Sequence, residues 1–221
     1  MKEDLKKQYD LRFRKIRHYR NEIWKILTKN LFQKFIATNS SVLDLGCGWG
    51  EFINNIDAMR KIAMDLNADA KEHLEPSIEF INQDCSSAWP LPDNALDVVF
   101  TSNFLEHLPD KAHLSRTVIQ VKRCLKPDGK LICLGPNIKY LCGRYWDFWD
   151  HHIELTERSL AELLEMHDFS IEKCIAKFLP YTMAGNRQFP FVFVRMYLLF
   201  PVVWKLFGKQ FLIIAGNAKG G

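Results

Sequence analysis

Hydrophobic positions in the N-terminal segment recur every three or four residues. Apolar side chains follow this spacing from Leu5 to Phe35, and many of the residues between them are charged. Such a period places the apolar side chains along one face of a helix. Residues 5–36 are therefore predicted to form an amphipathic helix or a pair of helices.

From residue 41 onwards the pattern changes to short apolar runs separated by helix-like stretches. Short apolar runs are typical of buried strands, and their alternation with helices is typical of a parallel sheet covered on both faces. The predicted strands are residues 41–45, 61–66, 77–82, 95–102 and 129–135. The predicted helices between them are residues 49–56, 67–74 and 111–125.

Two local signals divide the elements that follow. The sequence Lys-Pro-Asp-Gly at 126–129 is a breaker and a turn, and it is predicted to separate a helix from a strand. Thr156 is predicted to cap the next helix, because Leu155 and Leu160 on either side have the spacing of a hydrophobic staple.

The C-terminal part is predicted to hold two more strands, at 169–176 and 210–218. Residues 178–209 contain prolines and glycines that break the alternation, so they are predicted to form an apolar insertion. The chain therefore divides into an N-terminal helical extension at 1–38 and a main domain at 39–221.

Composition excludes several classes of protein. The chain has 221 residues, of which 48% are hydrophobic and 25% charged, as in globular domains rather than disordered or fibrous chains. There is no apolar signal sequence and no run of eighteen apolar residues. The six cysteines include no C-x-x-C pair, which favours reduced thiols in the cytoplasm over disulfides or zinc.

Charge is concentrated at the two ends of the chain. Residues 1–36 carry eleven Lys and Arg against four Asp and Glu, and residues 171–221 carry seven against one. Basic ends of this kind bind RNA, an anionic membrane surface or a phosphorylated substrate. A solvated helix face is the alternative interpretation of the N-terminal charge.

The first predicted strand ends in a glycine-rich loop, Asp44-Leu45-Gly46-Cys47-Gly48-Trp49-Gly50. Alternating glycines let the backbone turn sharply and approach a ligand closely, and the following helix is predicted to offer free N–H groups. The loop lacks the lysine of a P-loop, and Glu51 stands where a dinucleotide fingerprint needs glycine. Acids on both sides of the loop favour a cationic ligand.

Acidic residues also follow the next two strands. Asp65 at the end of the second strand is placed to accept both hydroxyls of a ribose, and Asp84 after the third is placed to bind an adenine amino group. The carboxyl ends of parallel strands meet at one edge of a sheet. The pattern therefore predicts a pocket for a nucleoside that carries a positive group.

These motifs resemble the class I S-adenosylmethionine-dependent methyltransferases, and most closely their small-molecule branch. VLDLGCGWG is similar to the family's first motif, AMDLN to its ribose-binding acid and LKPDGKLICLGPN to its turn into the fifth strand. The resemblance covers about residues 40–176. It implies an α/β fold: a Rossmann-like three-layer sandwich whose seven-stranded, mostly parallel sheet has its last strand antiparallel.

The resemblance also implies S-adenosyl-L-methionine as the cofactor. Carried over by position, the cofactor-binding residues are Asp44, Gly46, Cys47, Gly48, Gly50, Asp65, Leu66, Asp84, Cys85 and Asn103. The family imposes no single catalytic residue. No resident metal is expected.

Three histidines are candidates for a general base. A hydroxyl acceptor must lose a proton, and histidine is the usual base. His107 follows the fourth strand, and His151 and His152 lie in a segment that commonly covers the acceptor in this superfamily. Alternatives are a supporting role for His107 and a metal held by the His pair with Asp147 or Asp150. The aromatic residues at 145–149 are predicted either to line an apolar binding site for the acceptor or only to pack this loop against the domain.

The favoured function is methyl transfer to an oxygen of a small or lipid-linked acceptor. The apolar segment 188–211 is predicted to be a lid, a peripheral membrane contact or a packed helix. Two alternatives are an RNA methyltransferase and a non-catalytic regulatory subunit that binds the cofactor. Nucleic acid is disfavoured as a partner because residues 101–108 lack the usual amino-methylation motif. A cytoplasmic location follows, while the acceptor and the oligomeric state stay open.

Overall fold

A computed structural model of the protein describes residues 7, 11–181 and 188–217. Its centre is one sheet of seven strands in the order β3-β2-β1-β4-β5-β7-β6. The strands are β1 Ser41–Leu45, β2 Arg60–Asp65, β3 Glu79–Asn82, β4 Leu96–Ser102, β5 Leu125–Pro136, β6 Phe169–Ile175 and β7 Gln210–Asn217.

Six α-helices accompany the sheet in the described part of the chain. They are α1 Arg17–Asn30, α2 Lys111–Cys124, α3 Ile138–Leu141, α4 Glu157–Met166, α5 Phe191–Leu199 and α6 Pro201–Phe207. Short 3-10 turns lie at Arg14–Ile16, Phe32–Phe35, Ala68–His73, Leu105–His107 and Cys142–Asp147.

The pairing of the strands confirms the predicted sheet. Strands β1 to β5 pair in parallel, whereas β7 runs antiparallel to both β5 and β6. Chain order reverses between β1 and β4, which are neighbours in the sheet. Ligands of open α/β sheets bind outside the carboxyl ends of the strands at such a reversal.

Alternate residues of each strand pack on opposite sides of the sheet, which confirms the three layers. Leu43 and Leu45 of β1 belong to one buried cluster together with residues of α2 and α4. Val42 belongs to the second cluster, together with α1. The N-terminal helix is therefore part of the main core, because its residues Ile23, Trp24 and Leu27 are buried there.

The predicted helix at 49–56 is wrong. Residues 51–55 form turns with isolated hydrogen bonds, such as Asn54 N–H to the Gly50 carbonyl at 2.9 Å. Side chains compete with the helix here: Asn55 donates to the Glu51 carbonyl, and Asn54 binds the backbone of the segment after β2. The predicted helix at 67–74 is a 3-10 helix.

The turn at 126–129 lies inside β5 rather than before it. α2 ends at Cys124, and Leu125 already pairs with Leu96 of β4. Pairing then resumes at Lys130 with Val98, so the turn forms an irregularity within the strand. Asp128 has a φ of 65°, which an acidic side chain tolerates better than most residues.

The local predictions after β5 are confirmed. The side chain of Thr156 accepts a hydrogen bond from Ser159 N–H at 3.0 Å, and Ser159 binds back to Thr156, completing a capping box. Leu155 and Leu160 of the staple are both buried. All six cysteines are free.

The insertion before β7 contains α5 and α6, which lie on the outside of the fold. Neither helix buries any residue fully. Tyr197 of α5 donates to the Phe178 carbonyl, and Trp204 of α6 donates to the Tyr197 carbonyl at 2.7 Å, so the two helices are tied to the body and to each other. None of the described helices is long and apolar enough to cross a membrane.

Candidate active site

The glycine loop after β1 requires glycine for conformation and for space. Gly46, Gly48 and Gly50 have φ angles of 71°, 53° and 73°, a region that favours glycine. A Cβ on Gly46 would lie 2.2 Å from the ring of Phe104, the residue two positions after β4. The amide of Gly46 donates to the Met64 carbonyl of β2 at 2.9 Å. The loop is therefore packed closely against the end of β2 and the residues that follow β4.

Asp65 at the end of β2 faces this loop, as predicted. Its carboxylate accepts hydrogen bonds from Gly48 N–H at 2.9 Å and Asn67 N–H at 2.8 Å. Burial raises the pKa of Asp65, although these hydrogen bonds oppose the shift. Each oxygen keeps a second lone pair for a ligand.

The two acids that flank the loop have different environments. Asp44 is buried, and burial together with the charges of Glu51 and Asp65 raises its pKa well above the usual range. Glu51 accepts from Arg20 of α1 at 2.8 Å. The sequence pattern alone did not reveal Arg20, whose charge offsets that of Glu51.

The remaining predicted cofactor residues surround the loop. Cys85 is buried with its sulfur 3.3 Å from the Thr117 hydroxyl, and Asp84 accepts from Ser86 N–H at 2.8 Å. Asn103 has a φ of 49°, and its side-chain oxygen is buried without a hydrogen-bond partner. An unpartnered buried oxygen at this position is available to a ligand.

One cavity of about 1580 Å³ contains these groups. Every predicted cofactor-binding residue except Gly50 lines it, and so do all three candidate histidines. The same cavity extends along α1 and reaches the apolar helices, where it is lined by Phe189, Phe193, Val194, Met196, Tyr197, Phe200, Val203 and Phe207. The polar part of the cavity around the glycine loop and its apolar part along α5 and α6 are thus continuous.

A cluster of titratable groups lines the same cavity. Glu106 and His107 follow β4, and the His107 ring lies 4.8 Å from the ring of His151, centroid to centroid. His107 Nε2 is 3.9 Å from a carboxylate oxygen of Glu106. Glu106 and His151 are buried, and Nδ1 of His151 has no hydrogen-bond partner.

Asp150 ties this cluster to the N-terminal segment. Its carboxylate accepts from both terminal nitrogens of Arg12, 138 residues away in the sequence, and lies 3.2 Å from His107 Nδ1. The Asp150 backbone carbonyl lies 2.9 Å from the same nitrogen. Asp150 is therefore engaged by Arg12 and His107, and the group of described residues that could hold a metal does not include it.

Burial and charge shift the pKa values of these groups in different directions. Burial raises the pKa of Glu106, and burial with the charge of His107 lowers the pKa of His151 to about 4. Burial alone would lower the pKa of His107, but Asp150 and Glu106 raise it overall. Burial would raise the pKa of Asp150, but His107 and Arg12 hold it well below its usual range.

The aromatic segment after β5 contributes to the site in two ways. Tyr145 is fully buried, contacts the His151 ring and donates to the Ile153 carbonyl, so it supports the cluster from behind. Phe148 and Trp149 line the cavity. His152 also lines it, is exposed, and donates its backbone N–H to the Glu106 carbonyl at 2.8 Å.

Comparison with known proteins assigns the family. A family model described as a methyltransferase domain matches residues 16–173. The chain belongs to this methyltransferase family. The match confirms the predicted resemblance, and it begins within the N-terminal segment, just before α1.

Relatives agree with this assignment. A Mycolicibacterium smegmatis protein named "Probable S-adenosylmethionine-dependent methyltransferase" is 32% identical over 62% of this chain and 54% of its own length. A demethylmenaquinone methyltransferase of Lactiplantibacillus plantarum is 28% identical over 53% of this chain and 51% of its own length. The chain spans about half the length of these curated relatives.

A solved structure shares the fold. The crystal structure of a SAM-dependent methyltransferase from Archaeoglobus fulgidus has a TM-score of 0.63 at 22% identity and covers 89% of this chain and 94% of its own. The chain therefore contains a methyltransferase domain, and it is similar to proteins named as S-adenosylmethionine-dependent methyltransferases. The glycine loop that lines the cavity and the unpartnered Asn103 oxygen fit S-adenosylmethionine as a cofactor, while the contact assigned to each residue stays a prediction.

Gly46→Ala is expected to weaken S-adenosylhomocysteine binding at least tenfold. The added Cβ meets the Phe104 ring, and the φ of 71° adds strain of about 1–3 kcal/mol. Calorimetric titration measures the affinity. Gly143→Ala is the matched control, because no atom lies within 4 Å of the Cβ it would add. Equal affinities in the two variants would contradict this role of the loop.

Proposed function

We propose that the protein transfers the methyl group of S-adenosyl-L-methionine to an oxygen atom of a lipid-like acceptor. The observation that carries the proposal is the single cavity, which joins the glycine loop and the histidine cluster to the apolar side chains of α5 and α6. Apolar walls suit an acceptor with a hydrocarbon part. The name of the demethylmenaquinone relative also favours an apolar acceptor.

The reaction needs an aligned nucleophile and a place for one proton. A lone pair of the acceptor oxygen forms the new C–O bond while the C–S bond breaks, and its electron pair stays on sulfur as S-adenosylhomocysteine. The hydroxyl proton leaves the acceptor. We assign the orientation of the hydroxyl, or the removal of its proton, to His107 and His151, which line the cavity next to each other.

Methyl transfer from tritiated S-adenosylmethionine tests this function directly. The full chain is incubated with lipid extract, RNA and small aqueous metabolites of its source cells in separate reactions. Label is expected in the organic phase of the lipid reaction. The Asp65→Asn variant is expected to lose this label, because the substitution removes the carboxylate that faces the glycine loop. Label in RNA alone would favour an RNA methyltransferase, and S-adenosylhomocysteine binding without any transfer would favour a regulatory subunit.

We also propose that α5 and α6 dock on an anionic membrane surface, from which the acceptor enters. Their outward side chains are large and apolar: Leu199, Val202 and Leu206 are each 73% exposed. Ten large apolar residues from Phe189 to Phe207 are exposed, and five of them do not line the cavity: Phe191, Val192, Leu199, Val202 and Leu206. This far exceeds the scattered apolar residues of an ordinary surface. The inner side of the pair lines the cavity.

Charge around the helix pair favours a bilayer with anionic headgroups as the partner. Arg195 and Lys205 are exposed on the helices, and no Asp or Glu occurs from residue 173 to the end of the given sequence. The basic helix α1 lies alongside, because Tyr19 stacks on Phe191 at 5.6 Å and binds the Phe189 backbone. Cationic side chains next to an exposed apolar face are typical of interfacial helices.

Charge placed on the outer face is expected to abolish membrane binding. Leu199→Glu with Val202→Glu should reduce sedimentation with vesicles containing phosphatidylglycerol at least tenfold, because a carboxylate opposes both insertion and headgroup attraction. Met59→Glu with Met166→Glu is the matched control, since both residues are 74% exposed but lie elsewhere. Unchanged vesicle binding together with loss of a dimer in light scattering would instead assign this face to a second copy.

A further inference from the structure

We infer that Glu106, His107 and His151 form a binding site for a divalent transition metal. Each residue offers one ligand atom, and the three atoms lie within 4.8 Å of one another. One carboxylate and two imidazoles form the ligand set of many catalytic metal sites, in which three protein ligands leave positions open for water or substrate.

An unsatisfied nitrogen supports a ligand rather than a purely structural role. His151 is 6% exposed, and its Nδ1 is buried without a hydrogen-bond partner. A buried polar atom without a partner is costly unless something binds it. Glu106 is 1% exposed, so its carboxylate also lies away from bulk water.

The surroundings of His107 match those of a metal ligand. Metal-binding histidines usually donate their second ring N–H to a carboxylate or carbonyl. Nδ1 of His107 lies 2.9 Å from the Asp150 carbonyl and 3.2 Å from its carboxylate, which leaves Nε2 facing Glu106. Arg12 in turn fixes Asp150. These contacts fix the orientation of the His107 ring.

The ligand set selects the class of metal. Two imidazoles with one carboxylate suit Zn²⁺, Fe²⁺, Co²⁺ or Mn²⁺ better than Mg²⁺, which prefers oxygen ligands. Two metal–ligand bonds of about 2.1 Å span roughly 4.2 Å at most. Binding would therefore draw the widest pair of ligand atoms slightly together.

In the proposed methyl transfer, a metal at this site would activate the acceptor oxygen as the nucleophile. This part of the inference rests on the proposed function. All three residues line the cavity that also contains the glycine loop and the apolar side chains of α5 and α6. With a metal bound, His107 and His151 would hold the metal and would not take the proton themselves. The metal would bind the acceptor hydroxyl, lower its pKa and let its proton pass to water in the open cavity before the oxygen attacks the methyl group.

Cobalt titration of the chelator-treated full chain tests the site without any turnover. One equivalent of Co²⁺ is expected to bind and give visible d–d absorption of a four- or five-coordinate centre with nitrogen ligands. His151→Asn and Glu106→Gln should each weaken Co²⁺ binding at least tenfold. His152→Asn is the matched control for metal affinity, since this neighbouring histidine lies outside the cluster.

The outcomes separate the metal site from the proposed function. A wild-type chain that binds S-adenosylhomocysteine but takes up no Co²⁺ would overturn the metal site and leave methyl transfer intact. Equal loss of Co²⁺ in His152→Asn would also overturn it, by placing the metal elsewhere. Thermal unfolding and S-adenosylhomocysteine affinity verify that each variant is folded. Failure of the wild type to bind S-adenosylhomocysteine would contradict the proposed function instead.

Discussion

The carboxylate of Asp150 connects three segments of the chain that surround the histidine cluster. It accepts from Arg12 in the segment before α1 and lies against His107 after β4, while its own loop follows β5. These segments are far apart in sequence, and none of them is a strand of the sheet. The Asp150 and Arg12 side chains are partly buried, at 19% and 21% exposure, so their two hydrogen bonds are shielded from water and favour one arrangement of the loops. The histidine cluster depends on that arrangement.

The sheet and the insertion contribute different halves of one cavity. Parallel strands bring the glycine loop, Asp65 and the turn after β4 to a single edge, which suits a polar cofactor. The insertion before β7 adds a wall of apolar side chains that the sheet itself does not provide. The names of the relatives indicate S-adenosylmethionine as the donor of the methyl group, while this apolar wall distinguishes the acceptor that we propose.

The strands and the cofactor side of the site could be predicted from the sequence because their signals are local. Each buried strand is a short apolar run, and the three alternating glycines leave little choice of backbone. The prediction of a helix at 49–56 was wrong for a local reason as well, since the side chains of Asn54 and Asn55 bind backbone carbonyls in this segment.

The rest of the site depends on contacts that no local pattern contains. Arg12 and Asp150 are 138 residues apart, and Arg20 reaches Glu51 across the fold. Glu106 precedes the predicted site residue His107 in the sequence, so its position next to a candidate histidine could have identified it as a site residue. Only the packing of the loop after β5 shows that His151, rather than the exposed His152, completes the cluster.

The most direct test of the central claim is a crystal structure of the protein with S-adenosylhomocysteine. The claim is that one cavity brings the methyl donor and an apolar acceptor together. It predicts that the ligand lies between the glycine loop and Asp65, with its sulfur facing the space between the histidine cluster and the apolar helices. A ligand whose sulfur faces away from that space, or one walled off from α5 and α6, would contradict it.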